Sequence, residues 1–296
     1  MKVDSHFLMS QKKMLYQIEN PIQGLVIKRP SLHCKTPYVS DIILEDNNDT
    51  QILGHSPSLG CCGLADQNAK VVLSTIDNGK TKCSHRVELS LYQEGEFQIY
   101  VGINPKLGEH IAEKALIMGL IQGLYNIKKY AREKTIMNSR FDFIGLDEYR
   151  RPFVLEIKNV PLADYVDVPK KDRKKYKDEI KNKEFHDKIA YFPDGYRKNS
   201  TDVVSPRALK HIQELEKIAK TSETRAILCF IIQRSDASCF QPSNIDLTYK
   251  KAVQSAWLNG VEIRALQVEW NKKGTCNFVR NNLPIHLFDT CGPYQI

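Results

Sequence analysis

Between Ser139 and Lys158 the chain reads SRFDF, then a short polar stretch, then FVLEIK. One acid, Asp142, lies inside the first apolar run. Glu156 and Lys158 flank Ile157 at the end of the second. Apolar, β-branched runs separated by polar residues read as strands, and the pattern predicts a hairpin whose turn lies around Leu146–Arg151. Asp142 and Glu156, fourteen residues apart, then come close together across the pair. Alternation along a strand puts Glu156 and Lys158 on one face and Leu155 and Ile157 on the other. Two carboxylates and an ammonium on one wall can hold a divalent cation and polarise a water molecule.

The rest of the chain frames that hairpin. From Gly24 to Ile103 the pattern is one of short strands: Leu25–Arg29, Tyr38–Leu44, Gln51–Gly54, Val71–Ser74, Val87–Leu91 and Phe97–Val101. DNND, SPSLG and DNGK punctuate them. Six short strands in this span predict a small all-β domain over 21–103, an OB-like barrel or a sandwich. Residues 1–20 read as a weakly structured extension. At Asn104-Pro105 the pattern changes. Apolar spacing predicts a helix over His110–Tyr130, with Pro105 and Gly108-Glu109 at its entry. A second helix is expected over Ser205–Lys220 and a third over Asp246–Asn259, closed by Gly260. Ala226–Ile232 reads as a strand buried on both faces, and Val261–Val268 as another. Strands alternating with helices predict an α/β domain over 104–296. Within it, Pro169–Lys188 holds nine Lys or Arg and five Asp or Glu, and reads as a solvated loop or short exposed helix.

With 296 residues, two cores fit. The formal net charge of +8 favours polyanions without proving a nucleic-acid partner. No run of 18 apolar residues appears, so no membrane span is expected. The N-terminus carries acids and lacks a long apolar core, unlike a secretory signal. Eight cysteines occur, none as C-x-x-C, and Cys61–Cys62 are adjacent. Reduced thiols in a cytoplasmic or nuclear compartment are the simpler expectation.

Several motifs occur in an order that closely resembles the family of sugar fermentation stimulation protein A, from about Gly24 to Trp270. They are NSRFDF at Asn138–Phe143, VLEIKNVPL at Val154–Leu162, AYFPDG at Ala190–Gly195, RALKHIQEL at Arg207–Leu215, IIQR ending at Arg234, and GVE at Gly260–Glu262. The resemblance implies an N-terminal OB-like domain and a C-terminal restriction-endonuclease-like, PD-(D/E)xK domain. It also implies DNA binding with little sequence preference. Asp142, Glu156 and Lys158 match the nuclease motif, and Glu133 matches a Glu ahead of the Asp strand. The chain departs from the family pattern in three places. His55-Ser56-Pro57-Ser58-Leu59-Gly60 stands where the family has HxPNTG. Lys114-Ala115 stands where it has Glu-Ala, with Glu113 one position away. Residues 166–188 have no counterpart in the family's short loop.

Phosphodiester hydrolysis needs charge neutralised at the phosphate and an activated water, and Mg²⁺ or Mn²⁺ supplies both. Asp142, Glu156 and the Ile157 carbonyl are the expected cation ligands, with Glu133 or Glu113 as a further acid. Lys158 is expected to orient the water or stabilise the developing charge. The structural alternative is a Glu–Lys pair on a sheet edge. Arg140, Lys210, His211, Gln233, Arg234 and His55 are expected to contact nucleic acid through phosphates. Their structural alternatives are solvated faces, a strand cap and a turn cap. The runner-up is a protein that binds DNA without turnover, of a type that regulates sugar metabolism. Monomer and homodimer both remain open.

Overall fold

The computed structural model describes residues 12–45, 50–57, 63–76, 81–195, 199, 202–221 and 223–288. Residues 1–11, Ser58–Gly60 of the HxPNTG-like segment, and Cys61, Cys62 and Cys291 lie outside that range. The strands in chain order are β1 (Met14–Gln17), β2 (Ile22–Lys28), β3 (Val39–Leu44), β4 (Gln51–His55), β5 (Lys70–Thr75), β6 (His85–Glu94), β7 (Phe97–Gly102), β8 (Lys129–Ile136), β9 (Ser139–Leu146), β10 (Pro152–Val160), β11 (Ala163–Asp164), β12 (Lys188–Phe192), β13 (Arg225–Ile232), β14 (Ala237–Pro242), β15 (Glu262–Trp270) and β16 (Thr275–Arg280). The helices are α1 (Pro105–Ile117), α2 (Lys177–Ile180), α3 (Pro206–Thr221) and α4 (Leu247–Leu258).

All six strands expected before Ile103 form, as β2 to β7. Alternate side chains of β2, β3, β5 and β6 point inward around Val26, Ile42, Leu73 and Val87. β2 pairs with β3 and β5, β3 with β4, and β5 with β6, all antiparallel. A short parallel pairing of β4 with β6 closes these five strands into a ring. β6 runs on past its last pair with β5, Val71–Ser90, into a hairpin with β7 that turns at Gly95, whose φ of 59° suits glycine.

β7 meets β15 at the single pair Tyr100–Trp270, so one sheet runs from the ring into the C-terminal part, in the order β4-β3-β2-β5-β6-β7-β15-β13-β10-β9-β8. β15, β13 and β10 are parallel, and β9 and β8 continue antiparallel. α1 covers one face through Leu107, Ile111 and Ala115. α3 and α4 cover the other through Ile212, Leu215, Tyr249 and Val253. Both faces of β13 are thereby buried, as its unbroken apolar run requires. The result is a mixed α/β architecture. A smaller sheet, β11-β12-β14, stands beside it. No helix among the described residues is long and apolar enough to cross a membrane.

Two expectations change. The first helix is Pro105–Ile117, not His110–Tyr130. The Asn104 side chain caps it by accepting from Lys106 N at 3.1 Å, Pro105 occupies its first turn, and Gly119 at φ 63° stops it. Ile121 and Leu124 are still buried, but from a turn. The first twenty residues are not uniformly loose, because Met14–Gln17 pairs with β16.

Polar fasteners tie the ring to the α/β part. Glu88 on β6 accepts from Ser74 Oγ at 2.7 Å and from Asn104 Nδ2 at 2.7 Å, so the ring holds the residue that caps α1. Gln233 donates to Asn159 Oδ1 and accepts from Trp270 Nε1, both at 2.7 Å, directly beneath Gly102. A Cβ on Gly102 would lie 2.3 Å from Gln233 Oε1 and 2.8 Å from Trp270 Nε1. Gly102→Ala is therefore expected to lower unfolding stability by about 1–3 kcal/mol in urea titration. A change within about 0.5 kcal/mol would mean the seam yields freely.

Candidate functional site

The hairpin of β9 and β10 forms as expected. Its turn is fixed by Asp147, which accepts from the backbone N–H of Tyr149 and of Arg151, both at 2.9 Å. The ladder runs from Pro152–Leu146 to Leu155–Phe143. Asp142 comes next, and there the pattern breaks. Phe141 packs in the core under α3 and Phe143 in the core under α1, although residues two apart should share a face. The neighbouring strand is irregular at the same level, with Glu133 at φ 50°. Asp142 replaces the missing ladder bond with its side chain, Oδ2 accepting from Ile157 N–H at 2.7 Å.

Glu156 faces α3 and is 2% exposed. Its Oε1 takes both the Lys158 ammonium and His211 Nδ1. Its Oε2 is buried with no hydrogen-bond partner. Lys158 Nζ also reaches the Ile157 carbonyl at 3.3 Å. Each carboxylate thus has one oxygen tethered by the protein and one left over. Burial, then repulsion from Glu156, pushes the Asp142 carboxyl up to about 7, against the pull of Lys158 and the Ile157 N–H. Burial acts upward on Glu156 too, but Lys158 and His211 outweigh it and hold its carboxyl below the usual range.

These groups line a pocket of about 290 Å³ that also receives Glu109, Asp194 and Arg207. Sequence reasoning missed all three. Glu109 reaches the pocket because α1 begins five residues earlier than expected and packs tightly on β10. A Cβ on Gly108 would sit 3.0 Å from Asn159 Oδ1, so glycine permits the approach. Reading Asn104-Pro105 as cap and first turn would have put Glu109 inside the helix. Asp194 and Arg207 stand in AYFPDG and RALKHIQEL, two segments already singled out for other reasons.

Other expected site residues lie elsewhere. Glu113 is held by Arg132 at 2.5 Å and Tyr130 Oη at 3.1 Å. Glu133 is half-exposed and 3.6 Å from Arg140, which is itself 58% exposed. Lys210 is exposed and donates to the Asn138 carbonyl at 2.5 Å. His55 stacks beside Tyr38, and burial, then the Arg86 charge, lowers its pKa, which favours the neutral ring over a phosphate-seeking cation. Three expected phosphate contacts need correction because they are buried. His211 is 4% exposed, wedged between Glu156 and the Phe141 ring. Gln233 is the seam residue described above. Arg234 forks onto Asp236 and is 2% exposed.

Carboxylate and carbonyl oxygens without soft donors suit a hard cation such as Mg²⁺, Mn²⁺ or Ca²⁺. The buried, unpartnered Glu156 Oε2 fits such an occupant, because a bare buried oxygen is costly otherwise. Among the described residues no three His, Cys, Asp or Glu side chains are grouped closely enough to hold a metal on their own. For a cation at Oε2, His211 would be a positioning residue, because its Nδ1 fixes the other oxygen, Oε1. His211→Asn keeps a donor near the Nδ1 position, whereas His211→Gln moves it toward Nε2. Calorimetry is expected to show cation affinity within about threefold of wild type for Asn and about 10–100-fold weaker for Gln. Equal losses would show a packing role instead.

A family model described as "Sugar fermentation stimulation protein RE domain" matches residues 106–170 and 163–274. A sugar fermentation stimulation protein homolog from Desulfotalea psychrophila is 29% identical over 233 residues, covering 78% of this chain and 83% of the relative. One from Jannaschia sp. is 30% identical over 230 residues, covering 76% and 81%. The solved structure of Pyrococcus furiosus SfsA in complex with Ca²⁺ superposes with a TM-score of 0.69. It covers 92% of this chain and 99% of that one, at 19% identity, which is a likeness of fold.

Proposed function

Because this chain belongs to the sugar fermentation stimulation protein family, we propose that it binds DNA through its phosphates and carries a divalent-cation site able to hydrolyse phosphodiesters. The ring of β2 to β6 serves as an OB-like module, and β8 to β10, β13, α1 and α3 as a PD-(D/E)xK-type nuclease core. One observation carries the reading. Asp142, Glu156 and Lys158 converge in one pocket, and each carboxylate keeps one oxygen without a protein partner. The fold-related Pyrococcus protein is described in complex with Ca²⁺, which agrees with a hard-cation site.

Asp142 Oδ1, Glu156 Oε2 and the Ile157 carbonyl would hold Mg²⁺ or Mn²⁺, with Glu109 facing them from α1. The cation, when bound, neutralises phosphate charge and acidifies a water. Lys158 stabilises charge as it builds on the phosphoryl oxygens. Its side chain is only 11% exposed, so it is already held at the site. Arg207 has no ion pair or side-chain hydrogen bond among the described residues and can take a phosphate oxygen from the rim.

The test is incubation with single- and double-stranded DNA and Mg²⁺ or Mn²⁺. Wild type is expected to cleave, and Lys158→Ala to cleave about 10²–10³-fold more slowly with its cation affinity retained. Wild-type binding without cleavage would instead favour a DNA-binding protein lacking turnover. That second reading has its own support in Lys114, which stands where the family pattern has a helix acid. No binding at any salt concentration would sink both.

A further inference from the structure

Residues 170–183, KKDRKKYKDEIKNK, hold eight Lys or Arg against three Asp or Glu, in a chain whose whole formal net charge is +8. The segment folds as a 3₁₀ turn over Arg173–Tyr176 followed by α2. Lys170, Lys171, Lys174, Lys177, Lys181 and Lys183 are all exposed. Such a stretch is expected to be a loose solvated loop. Here it is fastened at both ends.

At the front, Arg173 pairs with Asp164 at 2.5 Å and donates to Tyr191 Oη at 3.2 Å. Tyr191 is a wall of the candidate pocket. At the back, Phe185 is buried and stacks on Phe97 of β7 with ring centroids 4.9 Å apart. Lys188, 1% exposed, donates to the Phe185 carbonyl at 2.8 Å and pairs with Glu94 of β6 at 3.0 Å. Its ammonium lies 3.9 Å from the Phe185 ring centroid and 4.4 Å from that of Tyr165. The lysines beside and between these anchors therefore lie on a surface that starts at the pocket wall and ends on the β6–β7 hairpin.

We propose that this anchored lysine surface is a track for the phosphodiester backbone of a nucleic-acid strand, leading it from the candidate pocket onto the β6–β7 hairpin. The inference rests on the nucleic-acid reading above. Lysines on a short helix and turn present point charges without base-reading geometry, so the track contacts phosphates and not sequence. Because each neutralised phosphate releases condensed counterions, the track has a direct signature in the salt dependence of binding.

The test replaces Lys171, Lys174, Lys177 and Lys181 together by Gln, all at exposed positions. A control protein replaces Lys217, Lys251, Lys272 and Lys273, also exposed, and so loses the same charge elsewhere. Binding of single- and double-stranded DNA and of RNA of one mixed sequence is titrated over a range of salt. The track variant is expected to bind at least about tenfold more weakly at low salt. Its log–log salt slope should fall by about 0.9 on duplex, or about 0.7 on single strands, for each phosphate that is no longer neutralised. Sequence preference should not change. The control should stay within about twofold of wild type, with its slope unaltered. Equal losses in the two variants, or an unaltered slope in the track variant, would overturn the track while leaving the nucleic-acid reading standing. Wild type without salt-dependent binding to any of the three would instead overturn that reading.

Discussion

Asp142→Asn is expected to abolish most divalent-cation binding and, in the cation-free protein, to raise stability. Both effects follow from one burial. Desolvation and the nearby Glu156 carboxylate put the Asp142 carboxyl at about 7, from an ordinary 3.8. A carboxyl raised on folding contributes stability below its unfolded pKa and loses it as pH rises through its folded one. The cation-free wild type should therefore lose about 1–3 kcal/mol between pH 4 and 8 through this group, a range that allows for partial exposure. Asn has no charge to bury, so the variant should lack that slope and be the more stable protein at pH 8. Cation binding runs the other way, because the ion must displace the Asp142 proton. Wild-type affinity should rise about tenfold per pH unit up to about pH 7 and then level off. Asp142→Asn should weaken it at least about 100-fold at pH 8. Urea titrations and calorimetry with Mn²⁺ at several pH values measure both. An Asn variant less stable than wild type at pH 8 would mean that the Oδ2–Ile157 bond, not the buried charge, dominates at this position.

Arg234→Ala is expected to cost about 3–5 kcal/mol of unfolding stability, among the largest effects of any single substitution in this chain. The guanidinium forks onto both oxygens of Asp236 at 2.6 and 2.7 Å. It donates to the Pro161 carbonyl at 3.2 Å and lies 4.9 Å from the Tyr92 ring centroid. Asp236 is 0% exposed, and its other charged neighbour, Lys188, is 3.5 Å away and already engaged by Glu94. Alanine would leave a buried carboxylate with half its compensation. Lysine keeps the charge but not the fork, so Arg234→Lys should recover only part of the loss. The pair of readouts separates two roles. A phosphate contact would weaken nucleic-acid binding and leave stability within about 0.5 kcal/mol, whereas a structural fork reverses that ranking.

Much of this architecture was legible in the sequence because the signals were local. Alternation, turn residues and capping residues placed β2 to β7, α3 and α4 within a residue or two in most cases. The Asp142–Glu156 pairing was legible for the same reason, since a tight hairpin turns sequence spacing into spatial distance. What stayed hidden depends on contacts between distant segments. His211 and Arg234 are polar residues at a helix face and a strand end, where exposure is the ordinary outcome. Only the arrival of Glu156 in one case, and of Tyr92 and the Pro161 carbonyl in the other, buries them. Glu109 was missed through a five-residue error at a helix start, which moved it off the face that meets β10. The lysine-rich segment is legible as exposed over most of residues 169–188, but Phe185 and Lys188 at its end are buried. Its anchors, Arg173 on Tyr191 and Phe185 on Phe97, join residues 18 and 88 positions apart, a separation that no local pattern records.

Glu88 belongs to the β-ring, yet its carboxylate grips Asn104, and Asn104 sets where α1 begins. α1 in turn carries Glu109 to the pocket. Glu109 is thus positioned through a lever whose fulcrum lies in the β-ring. A change at Glu88 therefore reaches the pocket wall through Asn104 and α1, although Glu88 itself lies outside the pocket. For the same reason, a fragment cut at residue 104 would lose the grip on the cap along with the ring, and its inactivity would say nothing about whether the ring takes part in the chemistry.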